Sequence, residues 1–269
     1  DLVISLQNTL PRGIRCRQVL YLHQPIPFQS SRRFSFFKRA EAPLAVYQHL
    51  ISRLIFGSVR RADVTVVQTR WMRDAVLERG LSAPDRIVTV PPSAADLNLP
   101  AARTETPLDR RHFLYPTSAV GYKNNETVTG ACALLAASGH DFLLSLTVEG
   151  SSTQPGVAFV GQVSHEEIIA RLSAATLVFA SQVETFGLPL LEARSLGSVV
   201  LAADAVYAHE VLEGYENAHF FDPEDPAALA ELMKEVLSGQ IERQQGATTV
   251  SISDGKSGWT EFIRVATEA

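Results

Sequence analysis

Short apolar runs alternate with helix-length amphipathic stretches along almost the whole chain. In the first part "LVISLQ", "QVLYLHQ", "DVTVVQ" and "RIVTVPPS" read as strands, with helices expected from about Phe36 to Arg60 and from Arg70 to Arg79. In the second part the strands are "HFLYPT", "DFLLSLTVEG", "VAFVGQV", "ATLVFAS", "SVVLAAD" and "AHFF". Helices are expected near 123–137, 165–174, 188–196, 206–212 and 225–238, and a last one in "SGWTEFIRVATEA". A strand covered on both faces reads as an unbroken apolar run, and a parallel neighbour can be reached only through a crossover, usually a helix. The alternation therefore predicts an α/β chain built from parallel sheets.

The stretch 94–111 interrupts the pattern with little apolar periodicity and with Pro100 and Pro107, as an interdomain linker would. A chain of 269 residues is long enough for two cores. The expected architecture is two doubly wound, Rossmann-like domains. Residues 1–105 form a partial first domain and 106–250 a second, and a closing helix in 251–269 is expected to pack back toward the first. The first domain is expected to lack its opening strands, because the chain begins at Asp1 almost within an apolar run. Residues 1–105 carry 15 basic against 8 acidic side chains and the remainder 9 against 21, so the net −5 hides a basic module joined to an acidic one. Such an overall balance argues against nucleic acid. No apolar run approaches the roughly 18 residues of a membrane-spanning helix. Cys16 and Cys132 stand far apart, which points to a reduced, cytoplasmic setting.

The segment "FASQVETFGLPLLEARSLG" joins a strand to a helix through a glycine turn. Pro189 suits the first helical turn and Gly197 the C-terminal stop. Gly187 allows close backbone approach, and the unpaired N–H groups of the helix's first turn suit a phosphate. Glu184 and Glu192 bracket the turn with seven residues between them. Carboxylates repel phosphate but accept two sugar hydroxyls at once. A nucleotide sugar would satisfy both halves of the motif, although glutamates at this spacing occur by chance in many helices and one on a solvated face needs no ligand.

"ETFGLPLLEA" resembles the nucleotide-sugar motif of retaining glycosyltransferases of family 4, which have the GT-B fold. The resemblance extends through 157–204, on into "AHEVLEGYENAHFFDPEDPAALAELM", and to "FLYPTSAVGYKN" and "ADVTVVQTRWMRDAV". It implies two Rossmann-like domains facing a cleft. It further implies that Glu184 touches the donor sugar, that Glu192 takes the ribose hydroxyls, and that the backbone of Phe186, Gly187 and Leu188 meets sugar and diphosphate. Lys123 in "YKN" corresponds to the lysine that neutralises the diphosphate. Many relatives carry an arginine where Ser118 stands, so leaving-group stabilisation would rest more on Lys123 and the helix terminus. His23, directly after a strand in "VLYLHQPIPF", corresponds to an active-site histidine of the first domain, with Asn8 and Gln24 as further candidates for the cleft. Gly161 and Val163, at the end of the strand "VAFVGQV", would contact the base.

The implied activity is transfer of a sugar from a nucleoside diphosphate sugar to a glycan or lipid-linked acceptor, as in surface polysaccharide or lipopolysaccharide assembly. The alternatives are a catalytically inactive nucleotide-sugar-binding or partner-binding relative and, less favoured by the paired glutamates, a sugar-nucleotide epimerase. No Asp-x-Asp pair and no His/Cys cluster has metal spacing, so neither metal nor cofactor is expected, the nucleotide sugar being substrate. "SSRRFSFFKRA" mixes Arg32, Arg33, Lys38 and Arg39 with Phe34, Phe36 and Phe37, near Phe28. It fits either a peripheral contact with an anionic membrane or a solvated basic loop whose aromatics belong to the core.

Overall fold

The computed structural model describes residues 1–30, 32–39, 41–97, 99, 106–244 and 258–268. The chain divides into two compact units: Asp1–Leu97 with Val183–Phe186 and the C-terminal segment, and Asn98–Gln182 with Gly187–Val250. The interdomain boundary expected near 105 and the linker's residues 98 and 100–105 lie outside the described residues, as does 251–257 before the last helix.

In the first unit β1 (Leu2–Ser5), β2 (Arg17–Leu22), β3 (Val64–Val67) and β4 (Ile87–Thr89) form a parallel sheet in the order β1-β2-β3-β4. Side chains alternate across a strand. Leu20, Leu22 and Val67 therefore pack on one face with Ile55, Val59, Met72 and Val76. Val19, Val64, Val66 and Val90 pack on the other with Phe262, Val265 and Ala266 of the C-terminal helix Gly258–Glu268. The first-face helices are α2 (Ser52–Arg61) and α3 (Arg70–Glu78), and a shorter helix, α1 (Ala42–Val46), precedes them.

The helix expected from Phe36 starts six residues later. Glu41 explains the delay, because its carboxylate accepts from Ser35 N at 3.0 Å and pairs with Arg32 and Lys38, so the chain ahead of the helix is held in turns at Phe36–Arg39. Pro43 then suits the first helical turn. Between α1 and α2 the residues Tyr47–Ile51 form a π-helical turn, a local widening that periodicity does not reveal.

The second unit contains β5 (His112–Tyr115), α4 (Asn125–Ala137), β6 (Leu143–Leu146), β7 (Val157–Phe159), α5 (His165–Leu172), β8 (Thr176–Phe179), α6 (Leu188–Leu196), β9 (Val200–Ala203), α7 (Val206–Val211), β10 (Ala218–Phe221) and α8 (Pro226–Ser238). The six strands are parallel, in the order β10-β9-β8-β5-β6-β7. β8 and β9 are buried throughout, as their unbroken apolar sequences require. Strand order reverses between β5 and β8, so the loops after these two strands open side by side at the carboxyl edge, where parallel sheets bind ligands. The strand "VAFVGQV" is cut to Val157–Phe159 between Gly156 and Gly161, both at positive φ. Both cysteines are unpaired, and burial pushes the Cys132 thiol up to about 12.

Candidate functional site

The site is assembled from the loops at the switch point of the second unit. After β8 the chain turns through residues 180–187 into α6. Gly187 caps that helix at φ +85°, Pro189 lies in the first turn, and Gly197 closes it in the left-handed conformation. A Cβ on Gly187 would lie 3.3 Å from Phe179 Cε1, 3.3 Å from Tyr207 Cε2 and 3.2 Å from Leu190 Cδ1. The turn is thus both left-handed and enclosed, which only glycine satisfies without strain. Leu188, the first helical residue, is exposed, whereas Phe186 is buried at 2% exposure.

Lys123 arrives from the neighbouring strand. It ends a 3₁₀ turn, Gly121–Lys123, after β5, and its carbonyl accepts from Tyr115 Oη. The next residue, Asn124, sits at φ +59° and donates through Nδ2 to Pro223 O at 2.6 Å. Gln182 N donates to Tyr122 O at 2.8 Å, tying this turn to the β8–α6 loop. The Lys123 ammonium lies 5.8 Å from the Tyr122 ring centroid and 5.7 Å from that of Phe179. Lys123 and Gly187 therefore share the Phe179 ring, which is wedged edge-on between Tyr115 and Tyr207. A cation beside a glycine-headed helix N-terminus is an arrangement suited to a phosphate group.

Glu192 lies inside the structure at 5% exposure, not on the solvated helix face that spacing alone allowed. His165 Nε2 stands 2.9 Å from its Oε1, with the carboxylate accepting. Burial pushes the Glu192 carboxyl above its ordinary value, and the His165 contact opposes that shift. His165 comes from α5, whose N-cap Ser164 accepts from Glu167 N at 3.2 Å. Only this half of a capping box is made, since the Glu167 carboxylate accepts from Arg171 instead of the Ser164 N–H. Gly161 is buried at φ +67°, with Glu149 Oε1 only 2.8 Å from where a Cβ would be, and Val163 is half-buried. The Ser118 carbonyl accepts from Asn125 Nδ2 at 2.8 Å within the β5–α4 loop.

Glu184 and Phe186 lie on the segment Val183–Phe186, which belongs to the first unit. Within that unit Thr69 Oγ1 and Trp71 Nε1 both donate to Thr185 O, at 2.9 and 3.1 Å. Glu184 is half-buried. His23 follows β2, as expected, and is clasped by Asn8: His23 N donates to Asn8 Oδ1 at 2.7 Å, and Asn8 Nδ2 stands 3.2 Å from His23 Nε2. Desolvation pushes the His23 imidazole below its ordinary value. Gln24 turns into its own loop, accepting from Ile26 N. In the basic-aromatic segment Phe28 and Phe34 are core residues, while Phe36 is half exposed and Phe37 wholly so.

Sequence reasoning missed His165, Tyr207, Tyr122 and the role of Phe179. Each is a partner supplied by a neighbouring strand or helix, and only the placement of His165 at a helix start on the sheet's carboxyl edge could have marked it. Among the described residues no group of three or more His, Cys, Asp or Glu side chains could hold a metal ion, and no helix is long and apolar enough to cross a membrane.

The family model described as glycosyl transferases group 1 matches residues 103–248. No curated protein sequence matches the chain. Among solved structures, TarM is 14% identical with a TM-score of 0.62 over 86% of this chain and 45% of its own. HepE from Anabaena, in complex with UDP-glucose, is 15% identical with a TM-score of 0.60 over 84% and 64%. The lipopolysaccharide outer core galactosyltransferase WaaB is 17% identical with a TM-score of 0.56 over 86% and 62%. At these identities the likeness is one of fold, and that fold is GT-B. The chain spans about half to two thirds of the length of these structures.

Proposed function

The chain belongs to the glycosyl transferases group 1 family, and on that premise we propose that it is a retaining, metal-independent glycosyltransferase. It would move a sugar from a nucleoside diphosphate sugar to a glycan or lipid-linked acceptor in surface polysaccharide or lipopolysaccharide assembly. The observation that carries this reading is the sharing of the Phe179 ring by the Lys123 ammonium and the Gly187 turn. The WaaB and HepE likenesses support the substrate class by the names and ligand of those proteins alone.

Breaking the bond between the anomeric carbon and the phosphate oxygen leaves negative charge on the departing diphosphate. Lys123 and the first-turn N–H groups of α6 compensate that charge where it develops. Glu184 orients the sugar through its hydroxyls, and Glu192 accepts from the ribose hydroxyls. The acceptor hydroxyl attacks from the face the diphosphate leaves, and a diphosphate oxygen takes its proton, so configuration is retained. By the family resemblance Gly161 and Val163 would contact the base, and His23, which Asn8 orients, corresponds to the histidine that acts on the donor sugar. Exposed Phe37, beside Lys38 and Arg39, would bring the enzyme to the anionic surface that holds a lipid-linked acceptor.

The test is a thermal-shift panel of UDP-, GDP- and ADP-sugars followed by transfer and donor-hydrolysis assays. One nucleotide class is expected to stabilise the protein, chelator to leave turnover unchanged, and Glu184→Gln to lower turnover by roughly a hundredfold. Binding without turnover would make the protein a nucleotide-sugar-binding module, and full turnover by the Glu184 variant would overturn the mechanism.

A further inference from the structure

The most informative group left over by the mechanism is His165. Its side chain is 46% exposed, whereas that of Glu192, its partner at 2.9 Å, is 7% exposed. The two sit on α5 and α6, the helices before and after β8. We infer that His165 is a positioning residue: it fixes the Glu192 carboxylate through one oxygen so that the other meets the paired hydroxyls of a ribose. The inference rests on the reading of Glu192 as the ribose acceptor.

Three observations support it. An ionised carboxylate offers about four lone-pair directions on two oxygens, and a single donor on Oε1 leaves the acceptor capacity of Oε2 for a vicinal diol. A carboxylate this buried is biased toward its protonated form, which would offer a hydroxyl donor where the diol needs acceptors; a donor from His165 favours the ionised form. The neighbouring charged groups are engaged otherwise. Glu167 is held by Arg171, Glu166 turns back to Ser164, and Arg194 Nη1 donates to Val211 O and Glu213 O.

The test compares calorimetric affinities for the ribose and 2′,3′-dideoxyribose forms of UDP, GDP and ADP, using whichever base the wild-type chain binds. The wild type should prefer the ribose form. His165→Ala should lower that preference roughly tenfold while leaving affinity for the dideoxy form unchanged, as loss of one donor to a charged acceptor predicts. That unchanged affinity also shows that the variant is folded. His165→Gln, whose amide N–H reaches a comparable distance, should recover most of the preference. If His165→Ala keeps the wild-type preference while Glu192→Ala loses it, the inference is overturned and the reading of Glu192 stands. If Glu192→Ala also keeps the preference, or if no nucleoside diphosphate binds the wild type, the ribose reading itself fails and the inference with it.

Discussion

Gly187 stands at φ +85° with three side chains around the place a methyl group would take. Gly187→Ala should therefore cost about 1–3 kcal/mol of stability, read by chemical denaturation, and should weaken nucleotide binding further because the turn that aims the α6 N–H groups shifts. A variant as stable as wild type would show that the turn tolerates a side chain. Glu192 makes a different prediction. Its unfolded carboxyl titrates near the ordinary value of 4.5 and its folded one higher, chiefly through burial. Between those two values the folded state holds the extra proton, so wild-type stability falls as pH rises through that window. Glu192→Gln carries no charge and still offers an oxygen to His165. It should melt above wild type at pH 7, with the difference vanishing below pH 4.5, while losing ribose discrimination. A pH-independent difference would contradict this account. The pair Glu184 and Glu192 was visible in the sequence as an oddity of spacing, but the deep burial of Glu192 against the half-burial of Glu184 was not, because burial depends on what packs alongside.

Helices show the same division. The start of α8 is legible at Asp225, whose carboxylate accepts from Ala227 N and Ala228 N, with Pro226 following. The C-terminal helix obtains its first-turn acceptor from far away in the chain. Asp96 Oδ2 accepts from Gly258 N at 2.8 Å while also holding Ser93 N and Oγ, and a Cβ on Gly258 would lie 2.6 Å from Pro91 O. Asp96→Ala removes that acceptor from the N–H group of Gly258 and should cost about 1–3 kcal/mol. Limited proteolysis should then cut within 258–268 at protease levels the wild type resists; equal resistance would mean that Phe262, Val265 and Ala266 hold the helix unaided. No pattern of local residues announces a capping partner about 160 positions away. The late start of α1 was likewise hidden, since the apolar spacing of 36–41 resembles a helix until Glu41 gathers Ser35, Arg32 and Lys38.

For the molecule as a whole, the charge split of +7 against −12 along the chain has a measurable consequence. The wholly exposed Phe37 sits in the basic part. The protein is expected to float with vesicles containing anionic lipid, less so at high salt, and Phe37→Ser should reduce the bound fraction several-fold. Equal flotation with neutral vesicles, or an unaffected variant, would assign the segment to solvent. The parallel sheets, their crossover helices and the glycine turn between two acids follow from the order of residues alone, because period, buried-strand composition and glycine's backbone freedom are local properties. Strand order is not local. Folding placed β5 beside β8, which set Lys123 and Gly187 on one phenylalanine ring and brought α5 against α6, so that His165 reached Glu192. Those contacts join segments 27 to about 65 residues apart, and they exist only once crossover connections have chosen which buried strand lies next to which.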